Sequence, residues 1–375
     1  MTTPIEDEVF DPWLDLSGAF QAGDKQFAAH ALHFETVNGV VPLDAQHGVH
    51  PVRSVPVALQ EALFGSVVPD DMEIKTAGEN TDTQSPMQTY AILDAGKISE
   101  LPSRLAVSDQ QHRCLFKGSA LDEFGHISPW LVRLDEGNTL TRNLFSASGM
   151  PGDLWEVEPG VILRSRARFD ELWGHLRKFT RIQDTDGKWF YLRFWEGWYF
   201  HILADRQQAL PELSRLFSRI LHDARVVVPH RHAGTAILAR PAHRQRHERL
   251  LLTPTLRAEL SLATFYRNMM AAAFDLHEHH PNEARRYGDE PKDMWPLLYD
   301  FADEVRSAGL KDPQLRARMM LLAFIVYPEP WPAFIKAPFW QKIKQSGQVE
   351  AAFEDFCCRL KYENIRRGQP ESVWW

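Results

Sequence analysis

Cysteine is scarce. Cys114, Cys357 and Cys358 are the only three in a chain of 375 residues, and two of them are adjacent. A disulfide framework is excluded, and reduced thiols are the expectation. Long apolar runs are missing too. The longest, Met319 to Tyr327, lies between Arg318 and Pro328 and falls well short of the ~20 residues that a spanning helix needs. Positive charge is in deficit, with 42 Lys and Arg against 50 Asp and Glu and a formal net charge of −8. That balance argues against a nucleic-acid partner. The opening Met1-Thr-Thr-Pro-Ile-Glu-Asp-Glu8 is acidic where a secretory leader is basic and then apolar. A cytoplasmic protein without membrane insertion is expected.

Recognisable reaction chemistry is also lacking. There is no glycine-rich phosphate loop, no dinucleotide-binding glycine turn after a strand, and no serine nucleophile elbow; Ser146-Ala-Ser-Gly149 reads as a loop. Leu276-His277-Glu278-His279-His280 looks like a zinc helix at first sight. Metalloprotease chemistry needs histidines four apart, whereas these stand two and three from His277, with Pro281 closing the helix. His243 and His247 are four apart but share Arg240 to Arg249 with four arginines, a field that repels a cation. Cys357 falls on an apolar helix stripe and reads as core. No catalytic residue, no metal and no cofactor is expected, so the chain reads as a non-enzyme. Two alternatives stay open: a metal-dependent hydrolase using His243 and His247 or His277, His279 and His280, and a regulatory module whose basic stretch 240–249 grips an acidic partner.

What is present is an ordinary globular composition, 44% hydrophobic and 25% charged. Phe10, Trp13, Leu14 and Leu16 lie in an acidic stretch, and Val55, Leu59, Leu63 and Phe64 suit one short helix. Pro69 to Pro86 has too few large apolar groups to offset its ordering entropy and reads as a linker. Strand patterns follow at Thr89–Asp94, Pro129–Leu134, Val161–Leu163 and, after the Asp186-Gly187 turn, Lys188–Trp195. Helical stripes interleave with them: Phe169, Leu172, Trp173 and Leu176, then Leu210, Leu213, Leu216, Phe217 and Ile220. Beyond about residue 250 the period is helical throughout. Leu262 to Leu276 form one stripe, Asp312-Pro313 is a cap followed by a first-turn proline, and Val349 to Leu360 form another stripe. The predicted fold is α+β: a sheet-containing mixed α/β N-terminal lobe followed by an all-helical C-terminal lobe. The predicted boundaries are an extension and linker over 1–86, an α/β lobe over 87–225, a basic connector over 226–250 and a helical lobe over 251–375.

Aromatic residues are conspicuous. Residues 189–200 read Trp-Phe-Tyr-Leu-Arg-Phe-Trp-Glu-Gly-Trp-Tyr-Phe. As a strand, this places Trp189, Tyr191, Arg193 and Trp195 on one face, with largely apolar residues on the other. That suits a central strand covered on both sides, or a groove left open for a partner. Arg193 could stack on the rings or fix a turn through carboxylates. Tyr327 to Trp340 carries four prolines and forms a stiff connector holding Trp331, Phe339 and Trp340, and the chain ends in Trp374-Trp375.

These landmarks, in their order, resemble the type VI secretion adaptor family, also called effector chaperones. The matching pieces are Tyr90-Ala-Ile-Leu-Asp94, Cys114-Leu-Phe-Lys-Gly118, Ser128-Pro-Trp-Leu-Val132, Leu172-Trp-Gly-His-Leu-Arg-Lys-Phe179 and Gly187-Lys-Trp-Phe-Tyr-Leu-Arg-Phe-Trp-Glu196. They are spread from Tyr90 to about Arg206, a stretch of about a third of the chain. Family members carry Asp-Pro-Arg after the aromatic strand, where this chain has Glu196-Gly197-Trp198. The resemblance implies a non-enzymatic, two-lobed protein that holds a cognate toxic type VI effector by an N-terminal or apolar segment and loads it onto the VgrG spike. On that reading Arg193, Trp195, Glu196 and Trp198 are the foremost partner-binding residues or their supports, with Trp331, Phe339 and Trp340 next.

Overall fold

The computed structural model describes residues 31–66, 85–243 and 250–366, with side chains to residue 360. Phe10, Trp13, Leu14, Leu16, His247, Trp374, Trp375 and nearly all of the Pro69–Pro86 linker lie outside the described residues. The fold is α+β. The chain divides into two compact units at Leu260/Ser261.

The first unit is organised on a seven-stranded antiparallel sheet: β1 (Leu32–Asn38), β2 (Gln88–Asp94), β3 (His112–Cys114), β4 (Pro129–Leu134), β5 (Gly160–Ser165), β8 (Arg225–His230) and β9 (Thr235–Pro241), in the order β1-β9-β8-β5-β2-β4-β3. β2 is interior and buried from Thr89 to Asp94. Its near-continuous apolar run is what a strand covered on both faces requires. On one face, Ala91 stands opposite Val132 and Ile162. All three belong to a core that also holds Val55, Leu59, Leu63, Leu101, Phe145 and Trp155. On the other face the Tyr90 ring meets Phe169 at 6.2 Å. Phe169 opens helix α1 (Phe169–Leu176), whose stripe Phe169, Leu172, Trp173 and Leu176 is buried as its spacing predicts. Helices α2 (Trp198–Arg206) and α3 (Pro211–Leu221) follow. A second, three-stranded sheet is formed by β6 (Arg181–Asp184), β7 (Trp189–Tyr191) and β10 (Leu251–Leu252), in the order β10-β6-β7.

Two stretches depart from the predicted boundaries. The stretch 226–250 is not simply a basic connector. Val226, Val227 and Val228 are buried, and β8 and β9 form an antiparallel ladder inside the large sheet. The β-branched run outweighs the flanking charge. Residues 32–64 likewise are part of the sheet unit rather than an extension: β1 pairs with β9 along its length, and Leu59 and Leu63 are fully buried. β1 is a half-exposed edge strand that owes its place to its neighbour's backbone, so its own pattern is faint.

The second unit is helical. It takes in the C-terminal part of α4 (Pro254–His279), with α5 (Trp295–Ser307), α6 (Pro313–Leu321), α7 (Pro338–Gln345) and α8 (Val349–Arg366). The Asp312 side chain accepts from the Leu315 amide at 2.9 Å, and Pro313 starts α6, as the sequence predicts. The centre is a run of rings: Phe324 on Trp331 at 5.5 Å, and Trp331 on Phe334 at 5.7 Å. Pro330, Pro332 and Pro338 stand at helix starts, where a missing N–H costs nothing.

Candidate functional site

β2 ends on Asp94, which is fully buried. A buried carboxylate survives only when its oxygens are taken up by donors. Here Gly96 N donates to Asp94 Oδ1 at 2.8 Å, while Arg193 Nη2 and Trp195 Nε1 donate to Oδ2 at 2.6 and 3.0 Å. The same guanidinium reaches Glu196 Oε1 through Nε at 3.0 Å and Nη2 at 2.9 Å. Glu196 Oε2 takes Lys97 Nζ at 2.8 Å, and Lys97 also donates to the Glu158 carbonyl at 3.2 Å. Two carboxylates and two cations thus close one neutral network. Burial pushes the Glu196 carboxyl up, but hydrogen bonds and charge from Lys97 and Arg193 outweigh it and hold it below its ordinary value.

The residues between β7 and α2 turn because this network pulls them back to β2. The Leu192 amide bonds the Thr180 carbonyl, closing the ladder, and the Glu196 amide then bonds the Arg193 carbonyl. Gly197 follows, and a Cβ there would lie 2.7 Å from Val228 Cγ1. Close approach of this turn to β8 explains a glycine at the position where the resemblance leads one to expect proline. Glu196 supplies the carboxylate, so the ion pairs form despite that departure. Of the two roles read for Arg193, the structure shows the turn fixed by carboxylates, with the Trp195 ring also 5.9 Å from the guanidinium.

The aromatic segment is not a central strand. β7 spans only Trp189–Tyr191 and ends its sheet. Trp189 and Tyr191 are 58% and 47% exposed, Phe194 and Trp195 are buried, and Trp198 is half-buried at the start of α2. In the second unit Trp331 and Trp340 are sealed inside, with Trp340 Nε1 donating to Glu304 at 2.7 Å. They hold that unit together and leave no ring face for a partner, as does Trp195 in the first unit; this corrects the reading of these three as direct contacts. Phe339 is half-buried, stacked on Phe356 at 4.6 Å. The site residues from 193 to 196 converge on Asp94 and Lys97, which sequence reasoning passed over; the signal was an acid closing an otherwise apolar strand.

His243 is exposed, and His279 Nδ1 lies 3.0 Å from the Asp275 carbonyl oxygen. Among the described residues no group of three or more His, Cys, Asp or Glu could hold a metal ion. Burial pushes the Cys357 thiol up to about 11 and raises Cys114 as well, which makes both poor nucleophiles. Among the described residues no helix is long and apolar enough to cross a membrane.

Residues 89–212, a third of the chain, match the family model described as Domain of unknown function (DUF4123), a domain family known in type VI secretion adaptor contexts. The match runs from β2 through the ion-paired turn into α3. No curated protein and no solved structure is similar enough to match.

Proposed function

We propose that this chain is a type VI secretion adaptor. It captures a cognate effector, presents it to the VgrG spike, and makes or breaks no bond in doing so. The observation that carries the reading is the family match over residues 89–212, which takes in the whole Asp94–Lys97–Arg193–Glu196 network. Geometry supports it in two ways. The network's charges are satisfied internally, so its work is to stiffen a turn. The hairpin leading into that turn displays large aromatic groups to solvent, a feature of protein-binding surfaces.

Co-expression with an effector encoded beside this chain is the test. A stable heterodimer on size-exclusion chromatography is expected. An effector that stays equally soluble and unbound without this chain would overturn the proposal.

A further inference from the structure

The β6–β7 hairpin has an open edge. Its turn is fixed by the Asp184 amide bonding the Lys188 carbonyl at 2.9 Å and the Gly187 amide bonding the Asp184 carbonyl at 3.2 Å, with Gly187 at φ +88°. Ladder bonds recur at alternate residues, next at Ile182 with Phe190 and then at Thr180 with Leu192. The N–H and C=O groups of Trp189 and Tyr191 therefore point away from β6. Sheet order ends at β7, so among the described residues these four backbone groups have no partner.

The side chains beside this edge are aromatic and cationic. Trp189 and Tyr191 share one face with their cross-strand neighbours Gln183 and Arg181. The Arg181 guanidinium lies 5.8 Å from the Trp189 ring, and Phe116 meets Tyr191 at 5.7 Å. Next to Phe116, Lys117 Nζ sits 4.4 Å from the Trp173 ring, and Arg177 lies 5.2 Å from the same ring. Arg113 is already paired with Asp170 at 2.7 Å, and Asp184 accepts from Arg257 and nearby amides. Lys117, Arg177 and Arg181 have no carboxylate partner among the described residues, and Arg177 Nε is buried without an acceptor. Against these three stands Asp186 at the hairpin tip.

We propose that β7 is a receiving edge: an extended, acidic segment of a partner protein adds to it as a further strand, with carboxylates facing Arg181, Lys117 and Arg177. Main-chain bonds to Trp189 and Tyr191 supply the pairing, and the uncommitted cations select the charge of the incoming strand. The inference deepens the adaptor reading and rests on it for the class of partner.

The probe is a fluorescein-labelled peptide of alternating glutamate and valine, titrated into the intact chain. Controls are its lysine–valine counterpart and a version N-methylated at alternate residues. The glutamate peptide is expected to bind at least about fivefold tighter than the lysine one, to weaken with salt, and to lose binding on N-methylation. Arg181→Glu should erase the charge preference. Trp189→Pro removes an outward N–H while sparing the β6–β7 bonds, and should weaken binding; if that variant fails to fold, the N-methylated peptide decides. Equal binding of both charges, indifference to N-methylation, or no binding overturns the proposal. So does equally tight binding of a peptide of residues 5–16, which would assign the edge to this chain's own acidic segment. Effector capture without peptide binding would leave the adaptor reading standing and this edge refuted; peptide binding without capture would do the reverse.

Discussion

Arg193 and Asp94 stand 99 positions apart in sequence and meet at 2.6 Å. The carboxylate is wholly buried, while the guanidinium side chain is half exposed, at 52%. The asymmetry sets their separate importance. Asp94 has no water to fall back on, whereas Arg193 keeps one side in solvent and holds Glu196 with the same nitrogen.

Asp94→Ala is therefore expected to cost about 3 kcal/mol or more, because it strands the Trp195 indole N–H, the Gly96 amide and Arg193 together. Arg193→Ala should cost less, about 2 kcal/mol, because water can enter where its half-exposed side chain stood and Asp94 retains two donors. Urea denaturation of both variants checks the order. A larger loss from Arg193→Ala would contradict the arrangement.

Glu196 ties the network to acid stability. Its folded-state carboxyl lies below the ordinary 4.5, so its contribution is present above that value and lost as pH falls through the lowered one. Glu196→Gln should be less stable near neutrality and show a flatter decline in Tm on acidification. Parallel Tm–pH curves for the two proteins would refute this.

Two other buried groups pull in opposite directions. Burial, with the neighbouring His230, pushes His201 down to about 3, so stability is lost as pH falls from 6.5 toward that value. Burial, with the charge of Glu212, pushes Glu259 up to about 7 even though the Leu213 amide donates to it. Its share is complete below 4.5 and is lost as pH rises to about 7. Glu259→Gln keeps an acceptor for Leu213 and should raise Tm at about pH 8 far more than at about pH 4.

The tryptophans separate by location. Trp331→Ala should cost about 3–5 kcal/mol, as ring loss from a packed core does. Trp189→Ala should stay within about 0.5 kcal/mol of the parent while weakening capture of the acidic peptide. Thermal melts and peptide titration of both variants check this; a large melting shift for Trp189→Ala would show that its ring is core.

Gly160 admits no side chain. It faces Leu93 in the β2–β5 ladder, and a Cβ would lie 1.8 Å from the Ile92 carbonyl oxygen. Gly160→Ala should cost more than about 4 kcal/mol and loosen the Asp94 end of β2, read as faster amide exchange there. Unchanged exchange would count against it.

Local periodicity made much of the fold legible. The Thr89–Asp94 run and the Phe169, Leu172, Trp173, Leu176 stripe each advertise how many faces they bury, because burial and spacing are the same information along one element. Lys188–Trp195 carried an equally strong strand pattern and was misleading. Its ladder stops at Leu192, where an ion pair to a distant residue bends the chain away. Arg193 and Glu196 could be singled out from the sequence, but Asp94 and Lys97 could not be joined to them without the sheet.

The linear order of apolar, polar and turn residues was enough to determine an α+β chain with helices toward its C-terminus. Which rings became core and which stayed wet was decided only on folding. Trp189, Trp195, Trp331 and Trp340 are chemically alike, and exposure depends on what the rest of the chain brings to each. Strand order and the partner of a buried charge are likewise non-local, set by long-range pairing that no window of neighbouring residues contains.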